Sequence, residues 1–229
     1  MDVVLFGPKN PETIRFFEQL NAYEISVGKE VTNLLGFIHS DLSLKGKDFF
    51  GYPIFGNEHE VPLLAARGVK FVSLVTGTTV SRYKTARLIV ENGGQLTSII
   101  HPSVSILMSK IGLGAYIQES VLIQANVVLG NNCSVHMGCH IAHDTTIGNS
   151  SFISFSVAIA GEVEIGDGVF VGANATILPR IKVGKFATIG AGAVVHRDVS
   201  DYSIVVGNPA RKINENVREL QHGDVFQGS

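Results

Sequence analysis

Tryptophan is absent from this 229-residue chain, and the few remaining aromatics make up 8% of it. A chain so poor in flat rings offers no stacking platform for single-stranded nucleic acid. Charge of one sign is also missing: the formal net charge is −2, which gives no reason to expect nucleic acid or an anionic membrane as partner. There are only two cysteines, Cys133 and Cys139, too few for a disulfide framework. No apolar run approaches the roughly 18 residues of a membrane span. The N-terminus lacks the basic flank and long apolar core of a signal peptide, so a cytoplasmic location without membrane contact is expected. At 45% hydrophobic and 17% charged residues, the chain can bury a sizeable core, as one large domain or two modest ones.

A strict internal repeat fills the second half. From Ile111 every sixth residue is Ile, Leu or Val, through Ile117, Ile123, Leu129, Val135, Ile141 and onward to Ile189 and Val195. Two positions before each anchor stands a small or β-branched residue, as at Val121, Cys133, Thr145, Ser151 and Ala175. Residues two apart on a strand share a face, so both members of each pair point inward, the two cysteines among them. Gly follows many anchors, as at Gly148, Gly166 and Gly184, and is expected to take turn conformations closed to other residues. A period of six therefore predicts short strands, three to a coil, stacked into a triangular prism about 4.8 Å per coil.

The first hundred residues alternate differently. Strands are expected at 2–6, 34–38, 69–75 and 96–100, with helices at 11–20, 57–67 and 79–92, a pattern that implies a parallel sheet covered by helices. Gly93-Gly94 and the His101-Pro102 turn divide the chain into 1–98 and 99–229. Ligands of such sheets lie beyond the carboxyl ends of the strands. That points to Gly7-Pro8-Lys9, His39 with Asp41, and Thr76 as candidate substrate-binding residues.

A small α/β domain followed by hexapeptides resembles the sugar acyltransferases of bacteria: the nucleotide-amino-sugar N-acetyltransferases and the sialic-acid O-acetyltransferases. The phrases that bear the resemblance are Lys-Asp-Phe-Phe-Gly-Tyr-Pro-Ile-Phe-Gly at 47–56, His101-Pro102-Ser103, Ala-His-Asp-Thr-Thr-Ile-Gly at 142–148 and Val-Gly-Asn-Pro-Ala-Arg at 206–211. The resemblance implies a Rossmann-like N-terminal domain of sugar-nucleotide-binding type and a left-handed parallel β-helix, assembled as a homotrimer. It further implies acetyl-CoA as donor, a nucleotide sugar as acceptor, and a catalytic histidine at His143. Gly161, Ala173 and Ala191 would contact the donor, and His136, where that family commonly has Asn, would line the acceptor pocket. The family's opening Gly-His turn is replaced here by Gly7-Pro8.

The chemistry agrees with the resemblance. A histidine near its ordinary pKa of ~6.5 can take a proton from an attacking nucleophile at neutral pH, and Asp144 stands ready to orient His143. Lys182 and Arg211 belong to a basic C-terminal region that suits the phosphates of CoA. A short C-terminal helix over 213–221 would close the end of the prism. Three histidines, His136, His140 and His143, also invite a metal reading. The γ-class carbonic anhydrases of this fold space ligands five apart, whereas the spacings here are four and three, so no metal is expected. Three alternatives to amino-group acetylation stay open from sequence: O-acetylation of a sugar, a non-catalytic trimeric binding protein, and the carbonic-anhydrase-like metalloprotein. A CoA-release assay with nucleotide amino sugars tests the transferase reading, and metal analysis of the purified protein tests the carbonic-anhydrase one.

Overall fold

The computed structural model describes residues 1–7, 10–75 and 78–216. Its first part is a six-stranded sheet in the order β3-β4-β2-β1-β5-β6. The strands are β1 (Asp2–Phe6), β2 (Asn33–Ile38), β3 (Asp48–Phe49), β4 (Tyr52–Gly56), β5 (Lys70–Ser73) and β6 (Gln95–Leu96). All pairings are parallel except the β3–β4 hairpin. Along β1, Val3 and Leu5 enter one core with Phe17 and Phe37, while Val4 and Phe6 enter the other with Phe71 and Ile89. Burial on both faces explains why this strand reads as one apolar run rather than an alternation.

Helices α1 (Pro11–Ser26), α2 (Val61–Ala66) and α3 (Thr79–Glu91) cover the sheet. Helix α1 begins where the Asn10 side chain accepts from Glu12 N, with Pro11 in the first turn, and α3 where Thr78 Oγ1 accepts from Ser81 N. Both are ordinary N-caps. The helix expected over 57–67 is instead a 3₁₀ turn, Glu58–Glu60, leading into α2. Strand β4 falls within the 47–56 phrase, where the sequence pattern predicts no strand. The strand expected over 96–100 is split: β6 completes this sheet, and Ile99–Ile100 pairs with Tyr116–Ile117 in the second part.

That second part is the left-handed β-helix. Its two-residue strands recur every six residues and pair every eighteen, as Leu122 with His140 and His140 with Ala158. One face holds Tyr116–Ile117, Ser134–Val135, Phe152–Ile153, Phe170–Val171 and Thr188–Ile189. A second holds Leu122–Ile123, His140–Ile141, Ala158–Ile159, Thr176–Ile177 and Val194–Val195, and a third runs from Lys110–Ile111 to Lys182–Val183. The anchors fill one continuous core, with Ile111 at its edge only partly buried. Cys133 and Cys139 pack inside, their thiols donating to the carbonyls of Gly148 and Ser154, and burial pushes both pKa values up to about 11.

Two expectations need correction. The left-handed backbone that turns each corner falls three residues after the anchor, at every sixth residue from Met108 to Gly192, and most of these are Asn, Ser or charged residues rather than Gly. The glycines directly after the anchors answer a different need. Gly112, Gly130, Gly148, Gly166 and Gly184 stack in one column. A Cβ on Gly148 would stand 2.6 Å from Asp167 N of the next coil, so these positions are empty because the coils approach too closely for a side chain. The C-terminal helix is also not formed where the structure describes it. Arg211–Glu215 is a strand antiparallel to Ser203–Val206, extending the first face, and residues 217–221 lie outside the described residues.

The two parts meet along the first face. Phe16 of α1 packs on Tyr116 and His101 at ring separations of 5.3 and 5.5 Å. From α3, the fully buried Arg82 donates through Nε to Asn132 O and through Nη1 to Ser73 O, while Asn132 Nδ2 returns a bond to Arg82 O.

Candidate active site

His143 and Asp144 occupy the corner between the second and third faces. Asp144 takes the left-handed conformation, φ 58°, which lets adjacent side chains converge instead of diverging. His143 Nδ1 lies 2.7 Å from Asp144 Oδ2. Facing a carboxylate, Nδ1 is the protonated nitrogen and Nε2 presents its lone pair. Two side chains of the preceding coil hold this turn: Gln124 Oε1 accepts from His143 N at 3.0 Å, and Asn126 Nδ2 donates to Asp144 Oδ1 at 2.6 Å. Those bonds, Asn126 first and His143 second, keep the Asp144 carboxyl below the usual carboxylate range. The imidazole lies over Gly161 of the following coil, where a Cβ would come within 2.9 Å of Cε1 and Nε2.

Of the described residues expected to bind an acceptor, Gly7 and His39 lie at the adjoining ends of β1 and β2, Gly7 N donating to Ile38 O at 3.1 Å, whereas His136 belongs to the first face of the β-helix. Gly7 follows β1 at φ 141° and passes so close to Leu74 that a Cβ there would stand 2.8 Å from its carbonyl carbon. Pro8, Lys9 and Thr76 lie outside the described residues. His39 Nδ1 accepts from Asp41 N, and Asp41 caps the 3₁₀ turn Leu42–Leu44 by accepting from Ser43 N, so both already serve their own loop. His136 lies between Tyr116 and Phe152 on the first face, at ring separations of 6.0 and 4.6 Å, with Nε2 enclosed and unpartnered. Burial first, and the charge of Arg82 second, bring its pKa down to about 4, so it is a neutral ring. His140 is exposed on the second face. The three histidines do not converge on one point.

The family model of the bacterial transferase hexapeptide, six repeats, matches residues 126–161, which bear this dyad, and 162–197. These coils carry the repeat of that transferase family. Among solved structures it is similar to PerB from Caulobacter crescentus, in complex with CoA and GDP-perosamine. Identity to PerB is 25% over 93% of this chain and 98% of that one, with a TM-score of 0.78. It also shares its fold with the acetyltransferase domain of PglB from Neisseria gonorrhoeae in complex with acetyl coenzyme A (23% identity, 93% and 98% covered, TM-score 0.77). WeeI from Acinetobacter baumannii has the same fold (24%, 93% and 100%, 0.78). No curated protein matches the sequence.

The residues expected to contact a donor fall in four places. Gly161 is in the His143 column. Ala173 and Ala191 stand on the corner between the first and second faces, at the other edge of the face bearing His140. Lys182 projects from the third face and pairs with Glu164 at 2.9 Å. Arg211 lines a cleft of about 230 Å³ at the C-terminal end with His196, Arg197 and Lys212, its Nη1 3.5 Å from His196 Nε2. Sequence reasoning missed Gln124 and Asn126, which are invisible until one counts a full coil of eighteen back from His143 and Asp144.

Proposed function

We propose that this transferase moves an acetyl group from acetyl-CoA to an amino group of a nucleotide-linked sugar. The supporting observation is the His143–Asp144 dyad, oriented with Nε2 free beside a corner that Gly161 leaves open. The likeness to PerB, solved with CoA and GDP-perosamine, supports the donor and acceptor classes. The sugar amine attacks the thioester carbonyl and His143 Nε2 removes its proton. Asp144 stabilises the imidazolium, and that proton leaves with the CoA thiol as the tetrahedral intermediate collapses. The Gly161 N–H, next in the same column, stabilises the oxyanion, and Arg211 with Arg197 supplies charge for the phosphates of CoA. His136, Gly7 and the loops ending β1, β2 and β5 belong to the acceptor side, with residues 1–98 as the sugar-nucleotide domain and residues 99–229 as the acyltransferase domain. The working protein is a cytoplasmic homotrimer whose neighbouring prisms bring an Ala173–Ala191 corner against a His143 corner.

The test is thiol release from acetyl-CoA with a panel of UDP-, GDP- and dTDP-linked amino sugars. Turnover with at least one acceptor is expected, and His143→Ala should lower it by roughly 10²-fold or more, the worth of a positioned base. Turnover undiminished by that substitution would remove His143 as the base.

A further inference from the structure

We propose that Asn126 is a positioning residue for acyl transfer: from the coil before the dyad, its amide fixes Asp144 so that only one carboxylate oxygen is left for His143. This rests on the acyl-transfer reading above.

His143 and Asp144 are adjacent residues on an exposed turn, with side chains 56% and 48% exposed. A carboxylate there can rotate, present either oxygen to the ring, or leave it for water. In free imidazole the two tautomers lie close in energy, so a loosely held partner would not keep the proton on Nδ1. Asn126 removes that freedom. It occupies the same corner one coil earlier, and shares the left-handed backbone of Asp144, φ 60° against 58°. Its side chain therefore leaves the corner in the same direction and lands on Asp144 Oδ1 at 2.6 Å. A carboxylate only accepts, so the Asn126 group facing it is the NH₂. With Oδ1 held, Oδ2 is directed at His143 Nδ1.

The surrounding charges do not offer a substitute. Glu162, the next residue down this corner, is engaged with Arg180, Nε to Oε2 3.4 Å. Among the described residues, His143 and Asn126 are the two side chains that bond to Asp144. Gln124 also reaches the turn, but it binds the His143 backbone N–H and leaves the carboxylate untouched.

Two readouts test the assignment on the full-length protein. In ¹⁵N NMR of the imidazole, the wild type should show the Nδ1–H tautomer of His143, and Asn126→Ala should shift it toward a tautomer mixture. In steady-state kinetics, Asn126→Ala should lower kcat roughly 10-fold with KM for acetyl-CoA unchanged, as expected when a partner that orients a reacting group is lost. Asn126→Asp places a second carboxyl against Asp144. At pH 8 it cannot donate and should be worse than Asn126→Ala. As the pH is lowered the pair takes up a proton and can donate again, so the ratio of Asn126→Asp to Asn126→Ala activity should climb.

A lower kcat with an unmoved tautomer would overturn the positioning role, as would wild-type kcat in both variants. A tautomer shift in a protein that acetylates no nucleotide sugar would uphold Asn126 and sink the acceptor class instead.

Discussion

At the scale of single residues, His136 carries a measurable cost. The unfolded chain protonates this ring near pH 6.5, while in the folded protein burial brings the value down to about 4. The native state therefore refuses a proton that the unfolded state accepts. Stability on this account is whole above pH 6.5, declines as the pH falls toward 4, and levels off below. The loss amounts to something on the order of 3 kcal/mol. His136→Asn should flatten the fall in urea midpoint between pH 7 and pH 4.5. A residual slope is expected, because burial also lowers the His101 pKa and acts in the same sense. An unchanged slope would mean that His136 is solvated in solution. The sequence showed His136 as a member of a histidine cluster. It could not show that Phe152 and Tyr116 enclose the ring, since those neighbours are set by stacking eighteen residues away.

At the scale of elements, the prism was legible almost to the residue because its period is a direct print of its geometry. Each anchor reports one strand, and all but the first are buried. What the glycines meant was not legible, because close approach between coils leaves the same letter in the sequence as a demand for a left-handed turn. The structure separates the two uses, and a substitution can too. Gly148→Ala puts a methyl 2.6 Å from the backbone of the next coil. Overpacking of that kind should lower stability by about 1–3 kcal/mol, read as a drop in denaturant midpoint. An unchanged midpoint would argue that the coils are further apart than described. The α/β part was harder to read: short strands such as β4 give too few residues for a period to declare itself. Nothing in α3 announced that Arg82, buried and bonded to backbone carbonyls, would join it to the corner at Asn132.

At the scale of the whole molecule, the dyad is half exposed and surrounded by uncovered apolar side chains. Leu107 and Met108, in the same corner as His143 two coils earlier, are 79% and 73% exposed, and Leu122 on the adjoining face is 47% exposed. Exposed apolar groups of that size are the kind of surface that a second chain can cover, and the proposed trimer would use this one. Sedimentation equilibrium should give three times the chain mass, and Leu107→Lys should weaken the assembly and the turnover together. A monomer with full activity would mean that one prism suffices. Sequence supplied the trimer only through resemblance, because which faces touch depends on exposure that a period does not encode.

The eighteen-residue coil also gives this protein something like a reading frame. Removing one whole coil, between Asp144 and the C-terminal cleft, would bring His143 and Arg211 closer by one rise of about 4.8 Å and leave each on its own corner. Removing a single hexapeptide would preserve every local preference for strand and turn, yet rotate everything beyond it by a third of a circle. Gly161 would then no longer lie beneath His143. Insertions and deletions that survive here should come in eighteens, and a relative whose donor is longer or shorter should differ by whole coils rather than by altered residues.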